Sequence, residues 1–494
     1  MIDTSVNIRY NYKAMELKEI IQQRKDKLKS LQDKGIAVYA SFKVAHRPIG
    51  EAIAFFEEGK NVSLCGRITA KRAHGKVAFA DLRDSTGKIQ LYLKADVLGQ
   101  EKASLLDDLD IADFLYVKGQ LFKTHTGEFT VKVEDFAFLS KALRSLPEKW
   151  HGLKDQEVRY RQRYLDLISN EEVKKVFLMR CAIIKSIRKC LDEQGFLEVE
   201  TPMMHPIPGG AAGRPFKTHH NEYHMDLYLR VAPELYLKEL IVGGLDKVYE
   251  INRSFRNEGV SARHNPEFTM LEVYRAYANY EDMMQLAEEL VVATAREVLG
   301  KDSLTFQGKA IDLATPWARC SFAQIVRERF DIAPSDEPEV MLGKLQAKGC
   351  AKEAARLTRS QVTKIIEDIL QEDLSDKPTF VTDYFASMSP LAKTKKDNPL
   401  LSERFELYVA GMEIGNAYSE QNDPLEQKKR FEEEVKELNT DEQKTVDEDY
   451  VVALEHGMPP AGGLGIGIDR LVMLLCDQPS IRDVILFPLL RPQE

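Results

Sequence analysis

Residues 255–272 set Arg256, Arg263 and His264, the phenylalanines Phe255 and Phe268, and the carboxylates Glu258, Glu267 and Glu272 between apolar runs. About two hundred residues further on, Gly462-Gly463-Leu464-Gly465-Ile466-Gly467-Ile468-Asp469-Arg470 leads an apolar helix with a glycine run and a lone arginine. The two segments constrain the fold jointly. A charged hairpin and a glycine-led helix that converge would hold an anion between them, and the pair reads as a nucleotide site. The glycine run itself fits neither common phosphate loop. Gly465-Ile466-Gly467 lacks a third glycine at dinucleotide spacing and an acidic residue about twenty positions on, and the Gly-Lys-Ser/Thr ending of a P-loop is absent.

With 494 residues the chain exceeds one hydrophobic core, so two or three domains are expected. No signal-peptide h-region opens the sequence and no apolar stretch is long enough to cross a bilayer, which points to a cytoplasmic protein. The six cysteines form no C-x-x-C pair and read as reduced structural thiols. A net charge of -9 argues against a nucleic-acid coat, but the amino-terminal third carries a small positive excess, so a polyanion would be met by local patches there.

Leu17, Ile20, Ile21, Leu28 and Leu31 recur at helical spacing among basic residues, and Gly35 stops the run. That helix is either a solvated amphipathic one or a basic surface for a phosphate backbone. From 61 to 143 the texture changes to three short alternating strands, a helical stretch near 103–109 and two more strands, the order of an OB barrel. Phe79 and Gln90 would give an unpaired base a stacking face and a hydrogen-bonding edge, although a phenylalanine there is also ordinary core. Arg67, Lys71, Arg72 and Lys76 could meet phosphates.

Further on, helical spacing over 176–191 ends at Gly195, and strands are expected at 196–202, 227–231, 247–251 and 267–274. The pattern is a mostly antiparallel sheet with helices, not a βαβ series. The expected division is a helical extension over 1–60, a barrel domain over 61–145, a linker over 146–160 and a large domain over 161–494. Within the last, a largely helical insertion is expected at about 281–378, and 426–449 reads as a solvated charged helix and loop.

Residues 255–272 and 462–470 resemble motifs 2 and 3 of the class II aminoacyl-tRNA synthetases, and 195–202 resembles motif 1. Ala232-Pro233-Glu234-Leu235-Tyr236-Leu237-Lys238 and Glu413-Ile414-Gly415-Asn416-Ala417-Tyr418-Ser419-Glu420 are similar to strings of the bacterial-type lysyl-tRNA synthetase branch. The barrel resembles the anticodon-binding domain of the lysine, aspartate and asparagine enzymes. The implied fold is α+β, an amino-terminal OB-fold β-barrel followed by a class II synthetase catalytic domain with a mostly antiparallel sheet flanked by helices.

The resemblance implies an ATP-dependent, AMP-forming ligase that joins L-lysine to tRNA(Lys) through lysyl-adenylate, with several Mg2+ ions accompanying ATP, as a homodimer without membrane association. Arg256 and Arg470 would be the catalytic pair. ATP would be held by Arg256, Glu258, Arg263, His264, Asn265, Phe268 and Arg470, with adenine between Phe268 and Arg470. Lysine would be held by Gly210, Glu234, Arg256, Glu272, Tyr274, Asn416, Tyr418 and Glu420, and the anticodon by Phe79, Gln90 and Glu128. Glu406 and Glu413 would bind metal. Their separation is odd and would put them on opposite faces of a straight strand, so a bend or bulge is required, with Gly411 a candidate.

Three places depart from the family pattern: Phe385 after Asp383-Tyr384, where a proline is frequent, Tyr418 in place of a frequent phenylalanine, and Val38-Tyr39-Ala40, which lacks the flanking prolines common before the barrel. Three alternatives stay open. An aspartate or asparagine enzyme would need a cationic or amide pocket, and a lysine ligase acting on a protein usually lacks the barrel. A catalytically reduced RNA-binding or regulatory relative should have lost one of Arg256, Glu406, Glu413 and Arg470.

Overall fold

The computed structural model describes residues 4–39, 41, 43–75, 77–146, 153, 155–210, 213–351, 357, 359–371, 376–437 and 446–493. The chain divides into two compact units, Met1–Lys154 and Asp155–Glu494.

In the first unit, β1 (Asn61–His74), β2 (Val77–Arg83), β3 (Lys88–Lys94), β4 (Phe114–Lys123) and β5 (Phe129–Ser140) close a barrel in the order β1-β2-β3-β5-β4, with the helix Ala95–Ala103 between β3 and β4. Alternation drives it: Leu64, Ile68, Leu82, Leu91, Leu93, Val117, Val131 and Val133 point inward and are buried, while their neighbours face out. A register shift between Ile68 and Ala70 bends β1, so its first half pairs with β4 and its second with β2.

The amino-terminal helix runs Thr4–Asp33, longer than its apolar spacing shows. Cations at its carboxyl-terminal end and just beyond it bind within its own unit. Arg24 donates to the carbonyls of Ala142 and Arg144 at 3.0 and 2.9 Å, Lys27 pairs with Asp110 at 2.8 Å and Lys34 with Asp108 at 3.1 Å. Lys71, expected at a phosphate, instead donates to the carbonyls of Leu106 and Leu109, and burial lowers its pKa. Arg67 lies over the Phe114 ring at 4.2 Å, and Lys76 lies outside the described residues.

The second unit is built on an eight-stranded sheet in the order β14-β15-β16-β17-β18-β11-β10-β6. These are β6 (Leu197–Glu198), β10 (Lys247–Phe255), β11 (Glu267–Ala276), β14 (Ala318–Ser321), β15 (Thr379–Thr382), β16 (Arg404–Val409), β17 (Met412–Ser419) and β18 (Ala461–Gly467). It is antiparallel except for β6 with β10 and β14 with β15. Two smaller sheets are β7 (Met204–His205), β8 (Lys217–His220) and β9 (Met225–Leu229), and the hairpin β12 (Ser303–Phe306) with β13 (Lys309–Asp312). The helices Glu171–Glu193, Tyr280–Leu299 and Ile468–Leu475 bury Ile183, Ile187, Leu290, Val291, Leu471 and Val472 in one cluster with Leu271 and Val273 of β11. The alternate residues of β11 therefore face the other way.

Four expectations change. The strand after Gly195 shrinks to the two residues of β6. The end of the expected linker is the helix Gln156–Arg161, capped by Asp155, with Tyr160 buried; residues 147–152 and 154 lie outside the described ones. The stretch 281–378 is not uniform insertion, because the helix Tyr280–Leu299 packs into the main core and β14 joins the main sheet. The charged run contains the helix Pro424–Glu437, which buries Gln427 and sets Phe431 against Tyr450; residues 438–445 lie outside the described ones. Among the described residues no helix is long and apolar enough to cross a membrane.

Gly119 sits where β4 and β5 cross a register shift, and a Cβ there would stand 2.0 Å from the Lys132 carbonyl oxygen. Gly119→Ala should lower the opening free energy of β4 and β5 by about 1–3 kcal/mol, read by hydrogen exchange on the intact chain. Unchanged protection of these strands would refute the close approach.

Candidate active site

A cavity of about 990 Å³ lies over β11, β16, β17 and β18, walled further by Thr363, Lys364 and Glu367 and by the helix Pro424–Glu437. Both segments singled out at the start of the sequence reading reach it. β10 and β11 pair from Lys247 with Arg275 to Phe255 with Glu267, so residues 256–266 form the hairpin loop at the rim. The Arg256 guanidinium is buried 5.2 Å over the Phe268 ring, its Nε has no partner, and desolvation lowers its pKa. The carboxylates of Glu413, Glu258 and Glu272 offset part of that desolvation, and the free Nε leaves a buried donor for a further anion.

Glu258, Arg263 and His264 are exposed at the cavity, and Arg263 donates to the Gly411 carbonyl at 3.1 Å. Arg470 donates to the Glu413 carbonyl and Oε2, both at 2.9 Å, and its Nη2 lies 3.2 Å from His264 Nε2. Partial burial and that neighbouring cation hold the His264 imidazole below its usual pKa. Asn265 is buried, donates to the Glu267 carbonyl at 2.6 Å and leaves Oδ1 without a partner. Phe268 and Arg470 both line the cavity, with Arg256 over the face of the former.

Glu406 and Glu413 share one face for a reason other than a bend within one strand. The chain reverses at Ala410-Gly411, both at positive φ, and β16 and β17 are the arms of a hairpin that sets Glu413 opposite Tyr408. Tyr408 is two residues from Glu406, hence on its face. A register shift between Leu407 and Tyr408 then sets Asn416 opposite Glu406, so Asn416 joins the same side. Glu406 is buried and accepts from Arg404, from Tyr384 Oη at 2.9 Å and from Tyr408 Oη. Glu367 stands close enough that burial and then Glu406 push its pKa up to about 7. Arg404 Nε also donates to Asn416 Oδ1 at 3.0 Å, which turns the Asn416 amide donors toward the cavity.

The expected amino-acid pocket is split in depth. Gly210, Glu234, Asn416 and Tyr418 line the cavity, whereas Glu272, Tyr274 and Glu420 lie buried behind its wall. Tyr274 Oη donates to Glu272 at 3.0 Å, and burial, with Glu234 adding to it, pushes Glu272 up to about 8. The extra hydroxyl of Tyr418 donates to Glu234 Oε1. Glu420 Oε1 has no partner. Gly463 lies against it, and a Cβ there would come within 2.0 Å of Oε1 and 2.6 Å of the Tyr274 ring.

Three residues at this site escaped the sequence reading: Lys238, Arg404 and Tyr408. Lys238 alone left a trace, four residues after Glu234 and so on the same helical face.

In the first unit, Phe79 of β2 pairs with Tyr92 of β3, rings 5.3 Å apart, and Tyr92 meets Phe122 edge-on at 6.1 Å. Gln90 donates to Glu128 at 3.1 Å and accepts from Thr130. The three expected base readers thus share one barrel face with an aromatic platform that includes Tyr92.

Buried Asp469 joins the helix Glu171–Glu193 to the two segments around residues 269 and 470: Oδ1 accepts from Arg180 at 2.7 Å and Oδ2 from the Thr269 backbone N–H at 2.7 Å, while Arg180 also reaches Thr269 Oγ1 at 3.0 Å. The family described as tRNA synthetases class II (D, K and N) matches residues 155–491, and the OB-fold nucleic acid binding domain matches 62–139. The chain therefore belongs to the class II tRNA synthetases.

Its relatives narrow the family. The Lysine--tRNA ligase of Carboxydothermus hydrogenoformans is 52% identical over 97% of this chain and 99% of its own length. That of Pelotomaculum thermopropionicum is 52% identical over 97% and 96%, and that of Moorella thermoacetica 50% over 96% and 98%. Within its class, the chain is a member of the lysine–tRNA ligase family.

Asp469→Ala would strand a buried guanidinium and a backbone donor at once. The chain should lose about 3–5 kcal/mol in urea unfolding, and Asp469→Asn should lose less. Equal stability of Asp469→Ala and the parent would deny Asp469 this role.

Proposed function

We propose that the chain activates L-lysine with ATP to lysyl-adenylate and pyrophosphate and then transfers the lysyl group to the 3′-terminal adenosine of tRNA(Lys). The observation that carries the reading is the buried acidic pocket of Glu234, Glu272 and Glu420 beside a desolvated Arg256 whose Nε has no partner. A pocket for aspartate or asparagine would present cations or amides in place of these carboxylates. The four groups of which a catalytically reduced relative should have lost one or more, Arg256, Glu406, Glu413 and Arg470, all stand at one cavity, and an OB barrel is present where a protein-modifying ligase usually has none.

The reaction needs no protein nucleophile. The lysine carboxylate attacks the α-phosphorus in line with departing pyrophosphate, and the site contributes positioning and charge neutralisation. Arg256 bridges the substrate carboxylate and the α-phosphate with its planar fork of donors, and the Asn416 amide, oriented by Arg404, donates to the same carboxylate. Arg263 and His264 meet the outer phosphates. Phe268 and Arg470 bracket adenine, with Glu258 and Asn265 nearby. Gly210 and Glu234 hold the α-ammonium, Tyr418 steadying Glu234; Glu272, Tyr274 and Glu420, behind the cavity wall, hold the ε-ammonium once that wall opens to the lysine stem.

Glu406 and Glu413 would hold magnesium, and two carboxylate oxygen donors suit an ion that keeps water and phosphate oxygens in its shell. Among the described residues no cluster of three or more acidic, histidine or cysteine side chains could hold a metal unaided, which fits ions that arrive with ATP. When bound they neutralise phosphate charge. Phe79, Gln90 and Glu128 read the anticodon, with Tyr92 extending the stacking face.

A second copy of the chain fits the motif 1 region. Leu178, Leu197, Met203 and Met204 are exposed, and β6 is an open edge of the sheet. The cytoplasm, where tRNA is charged, is the expected setting.

ATP–pyrophosphate exchange across the twenty amino acids tests the reading: lysine should support exchange, and exchange with aspartate or asparagine alone would overturn it. Glu420→Gln should raise the lysine KM by an amount equivalent to about 2–5 kcal/mol, and an unchanged KM would remove Glu420 from the pocket. Glu272, with a pKa of about 8, is protonated in the empty pocket at neutral pH, and a lysine ammonium favours its ionised form. Lysine binding between about pH 6 and 8 should therefore release a proton, and affinity should rise with pH and level off above about 8. Calorimetry in buffers of different ionisation enthalpy reads both; binding without proton release contradicts it.

A further inference from the structure

Lys238 is fully buried, four residues after Glu234 on the helix Glu234–Val242, and does not line the cavity. Its Nζ lies 2.7 Å from Glu234 Oε1 and in contact with Glu420 Oε2, and 5.4 Å over the Tyr418 ring. One ammonium of the chain itself thus joins the two carboxylates expected to hold the two ends of the substrate. We propose that Lys238 is a positioning residue that fixes lysine specificity: its charge opposes protonation of the Glu234–Glu420 pair, so that the pair presents acceptors to the substrate ammoniums. The proposal rests on the lysine reading above.

The argument is electrostatic. Two carboxylates close enough to share one nitrogen repel each other, and in a buried site without a cation one of them takes up a proton. A protonated carboxyl is a donor, and a donor aimed at an ammonium repels it. With Lys238 present, the three carboxylates Glu234, Glu272 and Glu420 and one cation leave a net charge of two when all are ionised, equal and opposite to the two ammoniums of lysine.

The lone pairs fit the same account. Lys238 Nζ forms an ion pair at Glu420 Oε2 and neither Glu420 oxygen accepts a hydrogen bond, while Lys238 and Tyr418 both donate to Oε1 of Glu234. Burial raises the Glu420 pKa well above the usual carboxylate range, and Lys238 is the cation that opposes the rise. The pull of the two carboxylates also outweighs burial and raises the Lys238 pKa, so it stays charged across the working range. Lys238 is held behind the carboxylates as a permanent counter-ion, not in front of them as a plug.

Lys238→Met keeps the volume and deletes the charge. In ATP–pyrophosphate exchange its lysine KM should rise at least about thirty-fold, the low end expected for stranding a buried charge, while the KM for ATP stays within about twofold. Lys238→Arg should recover part of the loss. Lys238→Ala should regain lysine-dependent exchange with propylammonium but not with 1-propanol, which fills the same space without charge.

An unchanged lysine KM in Lys238→Met overturns the proposal, as does equal rescue by the alcohol. If the variants fold only with propylammonium, as followed by circular dichroism, the charge role stands; if propylammonium restores neither folding nor exchange, it falls. Absence of lysine-dependent exchange in the parent would refute the substrate reading itself, whatever the variants do.

Discussion

Asp469 is the residue on which the geometry of the site turns. A buried carboxylate is held best where donors meet both of its oxygens, and here the donors come from the helix Glu171–Glu193 and from β11. Arg470 is the next residue of the same helix. Once Asp469 is pinned to Thr269, the position of Arg470 relative to β11 is set, and its guanidinium lands on Glu413. Segments from residues 180, 269, 413 and 470 become one constellation through a single side chain that touches no expected substrate.

The glycines of β18 do their work toward neighbouring protein. A Cβ at Gly462 would meet the Asn279 carbonyl at 2.9 Å, and one at Gly463 would strike Glu420 and Tyr274. Gly415 on β17 faces the Gly465 carbonyl at 2.9 Å in the same way. The run that fits neither phosphate loop in sequence is a bare strip of sheet that lets acidic and aromatic side chains of β11 and residue 420 close over it.

The barrel was legible because its signals are local: alternation with period two, turn residues between strands and one helical interruption in the right place. The three motifs were legible because each is a contiguous string. What escaped depends on contacts between distant segments. A lysine in sequence looks like surface, and only the fold reveals that Lys238 has two buried carboxylates and Lys71 two backbone carbonyls around it. Arg404 and Tyr408 were likewise invisible as partners of Glu406, since their relation to it depends on a hairpin that was read as one bent strand. The role of the helix Tyr280–Leu299 was misjudged because its apolar stripe declares that it is buried, not against what.

That hairpin gives the site a parity. Glu406 and Glu413 share a face because two residues, Ala410 and Gly411, make the turn, and Asn416 joins them because one extra residue is accommodated in β17. Loops usually absorb length changes at little cost, but loss or gain of one residue here would exchange the cavity face of β17 for its core face. Ile414, now in the core, and Glu413, now at the cavity, would trade places. Substitutions can drift through this turn, but reading-frame-preserving deletions of a single codon cannot, so its length is heritable information as strict as the identity of the carboxylates it aligns.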